Sequence, residues 1–151
     1  MRLALYQPDI PQNAAAVLRL GACMGVGVDI IEPCGFVLDD RRMRRVGMDY
    51  LDRVDLSRHS SWEKFRSSNT ARLVLLSTAG PARYTDFGFA EADTLVLGRE
   101  SAGVPDDVRG ACDASVTVPM APGLRSLNVA MAAAMVLGEA LRQADQLPGG
   151  D

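Results

Sequence analysis

The sequence predicts an α/β domain whose strands run parallel in one sheet. Leu73 to Leu76 and Thr94 to Leu97 are short, strongly apolar segments without polar alternation, so both faces of each must be covered. Segments of helical character lie between the strands, the alternation expected of a parallel sheet. Both strands end in runs of small residues, Ser77-Thr78-Ala79-Gly80 and Gly98-Arg99-Glu100-Ser101-Ala102-Gly103. Sheets of this class bind ligands beyond the carboxyl ends of their strands.

The elements follow in order. Leu3 to Tyr6 reads as a first strand and Pro11 to Met24 as a helix, with Asp9 near its start and Gly25 just past its end. The β-branched run Val26 to Ile31, bounded by Gly25 and Glu32-Pro33, reads as a second strand. Asp39 to Val46 is expected as a short helix and Arg53 to Leu56 as a brief strand. Ser61 to Ser67 reads as a helix capped by serine, with Trp62 and Phe65 on one face. Thr117, Val118 and Pro119 close a buried strand, and Ala121-Pro122-Gly123 enforces a loop. The helix that follows holds only Ala, Val, Met and Leu from Val129 to Leu137. Arg125, Ser126 and Asn128 at its mouth place polar groups beside an apolar body, which points to a ligand site on a buried scaffold.

A chain of 151 residues fits one domain, 1–151, and the glycine-rich stretch 145–151 reads as a frayed tail. Hydrophobic residues at 48% and charged ones at 23% are ordinary globular values and argue against disorder. The net charge of −3 carries no global nucleic-acid signature, so any such role must rest on local clustering. Cys23, Cys34 and Cys112 are odd in number and lack CxxC spacing. They argue against a zinc site or disulfide framework and for a reducing, cytoplasmic setting. MRLALYQPD is too short in its apolar part for a signal peptide, and Val129 to Leu137 falls well below the ~20 residues that span a bilayer. No GxGxxG links a strand to a helix, Lys64 is the only lysine and follows no phosphate-binding glycine loop, and GRESAG around Ser101 is not GxSxG. His59, the sole histidine, reads as a surface residue.

Four stretches in order carry a resemblance: PDIPQNAAAVLRLGACMG, IIEPCGFVLDDRRMRRVGMDY, LVLGRESAGVP and VPMAPGLRSLNVAMAAAMVLGEALRQ. Together they cover nearly the whole chain. They are similar to the SPOUT superfamily of S-adenosylmethionine-dependent RNA methyltransferases, specifically the minimal members of its SpoU branch that 2′-O-methylate the tRNA wobble nucleotide. The resemblance implies an α/β fold with a deep C-terminal trefoil knot, an obligate homodimer, S-adenosyl-L-methionine held in the knot, no metal, and a tRNA anticodon stem-loop as partner. Another tRNA position or ribosomal RNA would keep the chemistry and change the substrate. A non-catalytic RNA-binding or assembly protein would keep only the fold.

Residue by residue, the resemblance places Asn13 and Arg19 in a first motif beside the donor and the target ribose, often completing the partner subunit's site. Glu100 falls in a second motif that supports the loop and the arginine network, and Ser126 and Asn128 fall in a third. Leu76, Gly98, Val118 and Ser126 correspond to positions that hold the donor, with Met120 and Leu127 as apolar walls. Taken alone, Arg19 is an exposed helix arginine, Glu100 a solvated loop acid and Ser126 a helix N-cap. A guanidinium keeps its proton up to a pKa above about 12, so Arg19 suits orientation of a ribose hydroxyl and phosphate contact better than general-base duty.

Arg41, Arg42, Arg44 and Arg45 form the densest basic cluster. Asp39, Asp40, Asp49 and Asp52 flank it, so the competing reading is a salt-bridged exposed helix. If the cluster binds RNA phosphate, neutralising two of the four arginines is expected to weaken tRNA binding and flatten its salt dependence while donor affinity stays unchanged. Filter binding across a salt series checks this, and unchanged tRNA affinity would remove the role.

Overall fold

Seven parallel strands form one sheet in the computed structural model, which describes residues 1–39, 41 and 50–149. In chain order they are β1 (Arg2–Tyr6), β2 (Gly27–Ile31), β3 (Leu56–His59), β4 (Leu73–Leu76), β5 (Ala82–Arg83), β6 (Thr94–Leu97) and β7 (Ala114–Thr117). In space they run β3-β2-β1-β6-β4-β7-β5. The described α-helices are α1 (Pro11–Met24), α2 (Trp62–Ser68), α3 (Asp106–Gly110) and α4 (Val129–Gln143).

The alternating direction of strand side chains creates two cores. Leu3, Leu5, Val28, Ile30, Leu95, Leu97 and Val116 point to one face, where α1 contributes Val17 and Leu18 and α4 contributes Val136, Leu137 and Leu141. Ala4, Tyr6, Ile31, Leu73, Leu75 and Val96 point to the other, covered by Trp62 and Phe65 of α2 and by Val104 and Val108 around α3. Each large apolar side chain buried this way contributes about 1.5–3 kcal/mol. Burial on both faces explains why β4 is apolar throughout, why β1 and β6 are apolar after their first residues, and why β2 is apolar but for Asp29.

Several expectations need correction. A 3₁₀ turn occupies Leu51–Arg53, and the third strand starts only at Leu56, opposite Val28 of β2. The last strand ends at Thr117, so Val118 and Pro119 lie beyond it. Ser61 does cap α2, its hydroxyl accepting from the Lys64 amide at 3.2 Å. Asp9 stands near the start of α1 as expected, and the N-cap itself is Ile10, with no side-chain cap bond. The body of α4 is not buried all round, since Met131 is 66% and Met135 43% exposed. The expected helix Asp39 to Val46 lies outside the described residues except for Asp39 and Arg41.

His59 is also no free surface residue. Its Nε2 lies 2.8 Å from Asp29 Oδ1, and its ring meets Phe65 edge-on at 5.3 Å. Asp29 is buried on β2, and its other oxygen accepts from Arg2 Nε at 2.7 Å. Arg2 also pairs with Asp55. A buried carboxylate needs such partners, and it finds them on β1 and β3, strands on the far side of the sheet from β4 and β7.

The order β4-β7-β5 has a topological consequence. β5 pairs with β7 only at Val116 and Thr117, so the connection 77–81 from β4 to β5 crosses the chain where it leaves β7. Contact there is close. The Ser77 amide donates to the Val116 carbonyl at 2.9 Å, and a Cβ on Gly80 would stand 2.5 Å from the Val116 carbonyl carbon. This crossing is consistent with the threaded fold that the resemblance implies. Because the opposing atoms are backbone and cannot swing away, Gly80→Ala is expected to cost about 1–3 kcal/mol, measured as a lower urea midpoint at unchanged slope.

Candidate functional site

β6, β4 and β7 are neighbours, so the loops at their carboxyl ends converge. They enclose a cavity of about 540 Å³, within the range of cofactor sites. Leu76, Ser77 and Thr78 line it from β4, Gly98 to Val104 from β6, and Thr117, Val118 and Met120 from β7. Ser126, Leu127, Asn128 and Val129 close it at the start of α4, and Ile10 and Asn13 reach it from α1.

The β6 loop is narrow by construction. Arg99 and Gly103 exchange two backbone hydrogen bonds at 2.8 Å, and a Cβ on Gly98 would meet the Gly103 backbone at 2.8 Å. Gly103 itself has a φ of +64°, where a side chain would be strained. The turn presents Glu100 to α1. Glu100 Oε2 accepts from the Asp9 amide at 2.8 Å and Oε1 from Asn13 Nδ2 at 3.3 Å. Asn13 Oδ1 accepts in turn from Asn128 Nδ2 at 2.9 Å. Asn128 is the N-cap of α4, its Oδ1 accepting from the Ala130 and Met131 amides at 2.9 and 3.3 Å. A single chain of hydrogen bonds thus joins the β6 loop, α1 and α4 along one wall of the cavity.

Every position expected to hold the donor, Leu76, Gly98, Val118, Met120, Ser126 and Leu127, lines this cavity, as do Asn13, Glu100 and Asn128. Capping falls to Asn128 rather than Ser126. Arg19 does not line the cavity of its own chain. Six residues beyond Asn13, it lies about 9 Å further along α1 and a third of a turn around it. It is exposed there, with its guanidinium 4.9 Å from the centre of the Tyr50 ring. Arg41 is exposed, its amide bound to Asp39 Oδ1 at 2.8 Å, while Arg42, Arg44 and Arg45 lie outside the described residues.

Three site residues escaped the sequence reading: Asp9, Arg99 and Arg109. Asp9 Oδ1 accepts from Arg99 Nη2 at 2.9 Å and Nε at 3.2 Å, and its Oδ2 accepts from the Ser101 amide at 3.1 Å and from the Ser101 hydroxyl. The Ser101 hydroxyl first, with Arg99 behind it, holds the Asp9 carboxyl below its ordinary range. An acid before a helix that lacks a side-chain cap was the available signal. Neither half-buried cysteine is suited to nucleophilic work: burial pushes the thiols of Cys34 and Cys112 up to about 11. Among the described residues no group of three or more His, Cys, Asp or Glu could hold a metal ion.

The SpoU rRNA methylase family profile matches residues 1–138. A relative from Beijerinckia indica, named tRNA (cytidine(34)-2′-O)-methyltransferase, is 60% identical over 148 residues, covering 96% of this chain and 92% of its own. A solved structure described as giving insight into 2-OH methylation of C/U34 on tRNA superposes with a TM-score of 0.89 at 39% identity and covers 94% of each chain. The SpoU methyltransferase AviRb from Streptomyces viridochromogenes, solved with AdoMet, superposes at a TM-score of 0.81 and 28% identity, covering 95% of this chain and 57% of its own.

The Asp9 clamp makes a pH prediction. A carboxyl whose folded pKa is depressed stabilises the fold above its unfolded value, here 3.8, and that contribution is lost as pH falls through the folded value. The stability difference between the native chain and Asp9→Asn is therefore expected to stay level near neutrality and to shrink below about pH 4. Urea unfolding across a pH series measures it. A difference that grows on acidification would refute the clamp.

Proposed function

Since the chain belongs to the SpoU rRNA methylase family, we propose that it is an S-adenosylmethionine-dependent enzyme that 2′-O-methylates the ribose of the wobble nucleotide, cytidine or uridine 34, of tRNA. The observation that carries this reading is the convergence of the three motifs on one cavity, wired together by Glu100, Asn13 and Asn128. The relative at 60% identity supports the choice of substrate.

The cavity suits the donor. Its volume fits a cofactor, the tight Gly98–Gly103 turn brings backbone against the cavity, and Leu76, Val118, Met120 and Leu127 offer apolar walls to an adenine. When bound, S-adenosylmethionine supplies a sulfonium methyl group as the electrophile. The protein's share is to align the ribose oxygen in line with that methyl, exclude water and ease loss of the hydroxyl proton. Asn13 stands where α1 meets the cavity, with its amide direction set by Glu100 on one side and Asn128 on the other. Ser126 adds a hydroxyl at the same mouth.

Arg19 completes the site from a second copy of the chain. Gln12, Ala16, Arg19 and Cys23 form an exposed stripe on α1, and Leu124, Leu127, Met131 and Met135 form an exposed apolar surface around the adjacent α4. The dimer, the tRNA anticodon stem-loop as partner and the cytoplasmic setting are all part of this proposal. No described helix is long and apolar enough to cross a membrane.

Transfer of labelled methyl from S-adenosylmethionine to an anticodon stem-loop is expected to vanish when nucleotide 34 carries a 2′-deoxyribose. Arg19→Ala is expected to lower the rate by about a hundredfold or more while donor affinity is retained. Methylation that persists on the deoxy substrate would overturn the assignment, and a monomer at micromolar concentration in sedimentation would overturn the dimer.

A further inference from the structure

Among the described residues, the cavity wall carries one cation without an acidic partner. Of its charged lining residues, Arg99 is neutralised by Asp9 at 2.9 Å, and the oxygens of Glu100 accept from the Asp9 amide and Asn13. Arg109 is different. Its Nη1 donates to Ser77 Oγ at 3.2 Å, a neutral acceptor, and among the described residues no carboxylate lies within ion-pair distance of it. Asp106 and Asp107 open the same helix but make no ion pair with it.

The anchor is itself fixed. The Ser77 amide donates to the Val116 carbonyl at 2.9 Å, and its hydroxyl also accepts from the Ala79 amide at 3.2 Å. The guanidinium therefore sits at the β4 and β7 side of the cavity, while Glu100 stands with Asn13 and Asn128 at the other. A guanidinium has five N–H donors in a planar fork that matches a carboxylate, and the bond to Ser77 uses one of them.

We propose that Arg109 binds the carboxylate of the amino-acid end of the methyl donor, so that the donor is held at both ends, its adenosine by the apolar loops and its carboxylate by this guanidinium. The assignment rests on the reading that the cavity holds the donor. It favours the carboxylate over an RNA phosphate because Arg109 lines the same cavity as the donor positions and is tied to Ser77, the residue that follows Leu76.

Calorimetric titration with two probes tests it: S-adenosylhomocysteine, and 5′-methylthioadenosine, which lacks the amino-acid end. Arg109→Gln is expected to raise the Kd for S-adenosylhomocysteine about tenfold to a hundredfold, and Arg109→Lys less. The Kd for methylthioadenosine should be unchanged in both variants, which also shows that the pocket remains folded. Equal losses for both probes, or no loss for either, would overturn the proposal. So would weaker binding of an anticodon stem-loop with the ratio of the two probes intact. If the native protein binds neither probe, the donor reading of the cavity fails instead.

Discussion

The insertion of β7 between β4 and β5 is the constraint on which the site depends. β5 reaches β7 only at Val116 and Thr117, so the connection 77–81 is pressed onto the chain leaving β7. Only a residue without a Cβ fits at position 80. The same crossing brings the carboxyl ends of β6, β4 and β7 together and ties Ser77 to Val116. It also sends residues 118–128 back over the cavity before α4 begins. The pocket is therefore a product of strand order, and its walls are loops that the crossing holds in place.

Polar bonds then fix the loops against α1. Asp9 and Glu100 act reciprocally: the Asp9 side chain holds the residues on either side of Glu100, while the Glu100 side chain holds the Asp9 amide. Each such bond adds only about 0.5–1.5 kcal/mol to stability, and the groups are half-exposed. Their value is positional. Asn13 has its carbonyl and amide ends assigned by different partners, which leaves its side chain one orientation toward the cavity.

The parts of the fold that were legible in the sequence are those with both faces buried or a clean helical period. β4, β6 and α1 lie where their residues place them because Leu73–Leu76 is apolar throughout, Thr94–Leu97 is apolar after its first residue, and Pro11–Met24 carries its own stop at Gly25. β3 was displaced because LSRH mixes sides and follows a 3₁₀ turn. β5 has two residues and α3 five, too few to show any period. Strand order is a long-range property that no local pattern carries. In the site, the motif residues were visible, whereas Asp9, Arg99 and Arg109 were not, since their roles arise from contacts across about ninety residues or from a cavity that exists only after folding.

The inward side of α4 is fully used: Ala133, Val136, Leu137, Ala140 and Leu141 are buried against the sheet and α1. Met131 and Met135 point away from that layer and cannot be covered by it. From Val129 to Leu137 the helix is apolar on all sides, a pattern that belongs between two layers, and here the sheet supplies one. α1 packs beside α4 in the same layer, so the stripe that carries Arg19 faces outward with the two methionines. In the proposed dimer, covering the apolar surface of α4 and delivering Arg19 to a cavity would be one geometric event, because both lie on the outward side of the same helical layer.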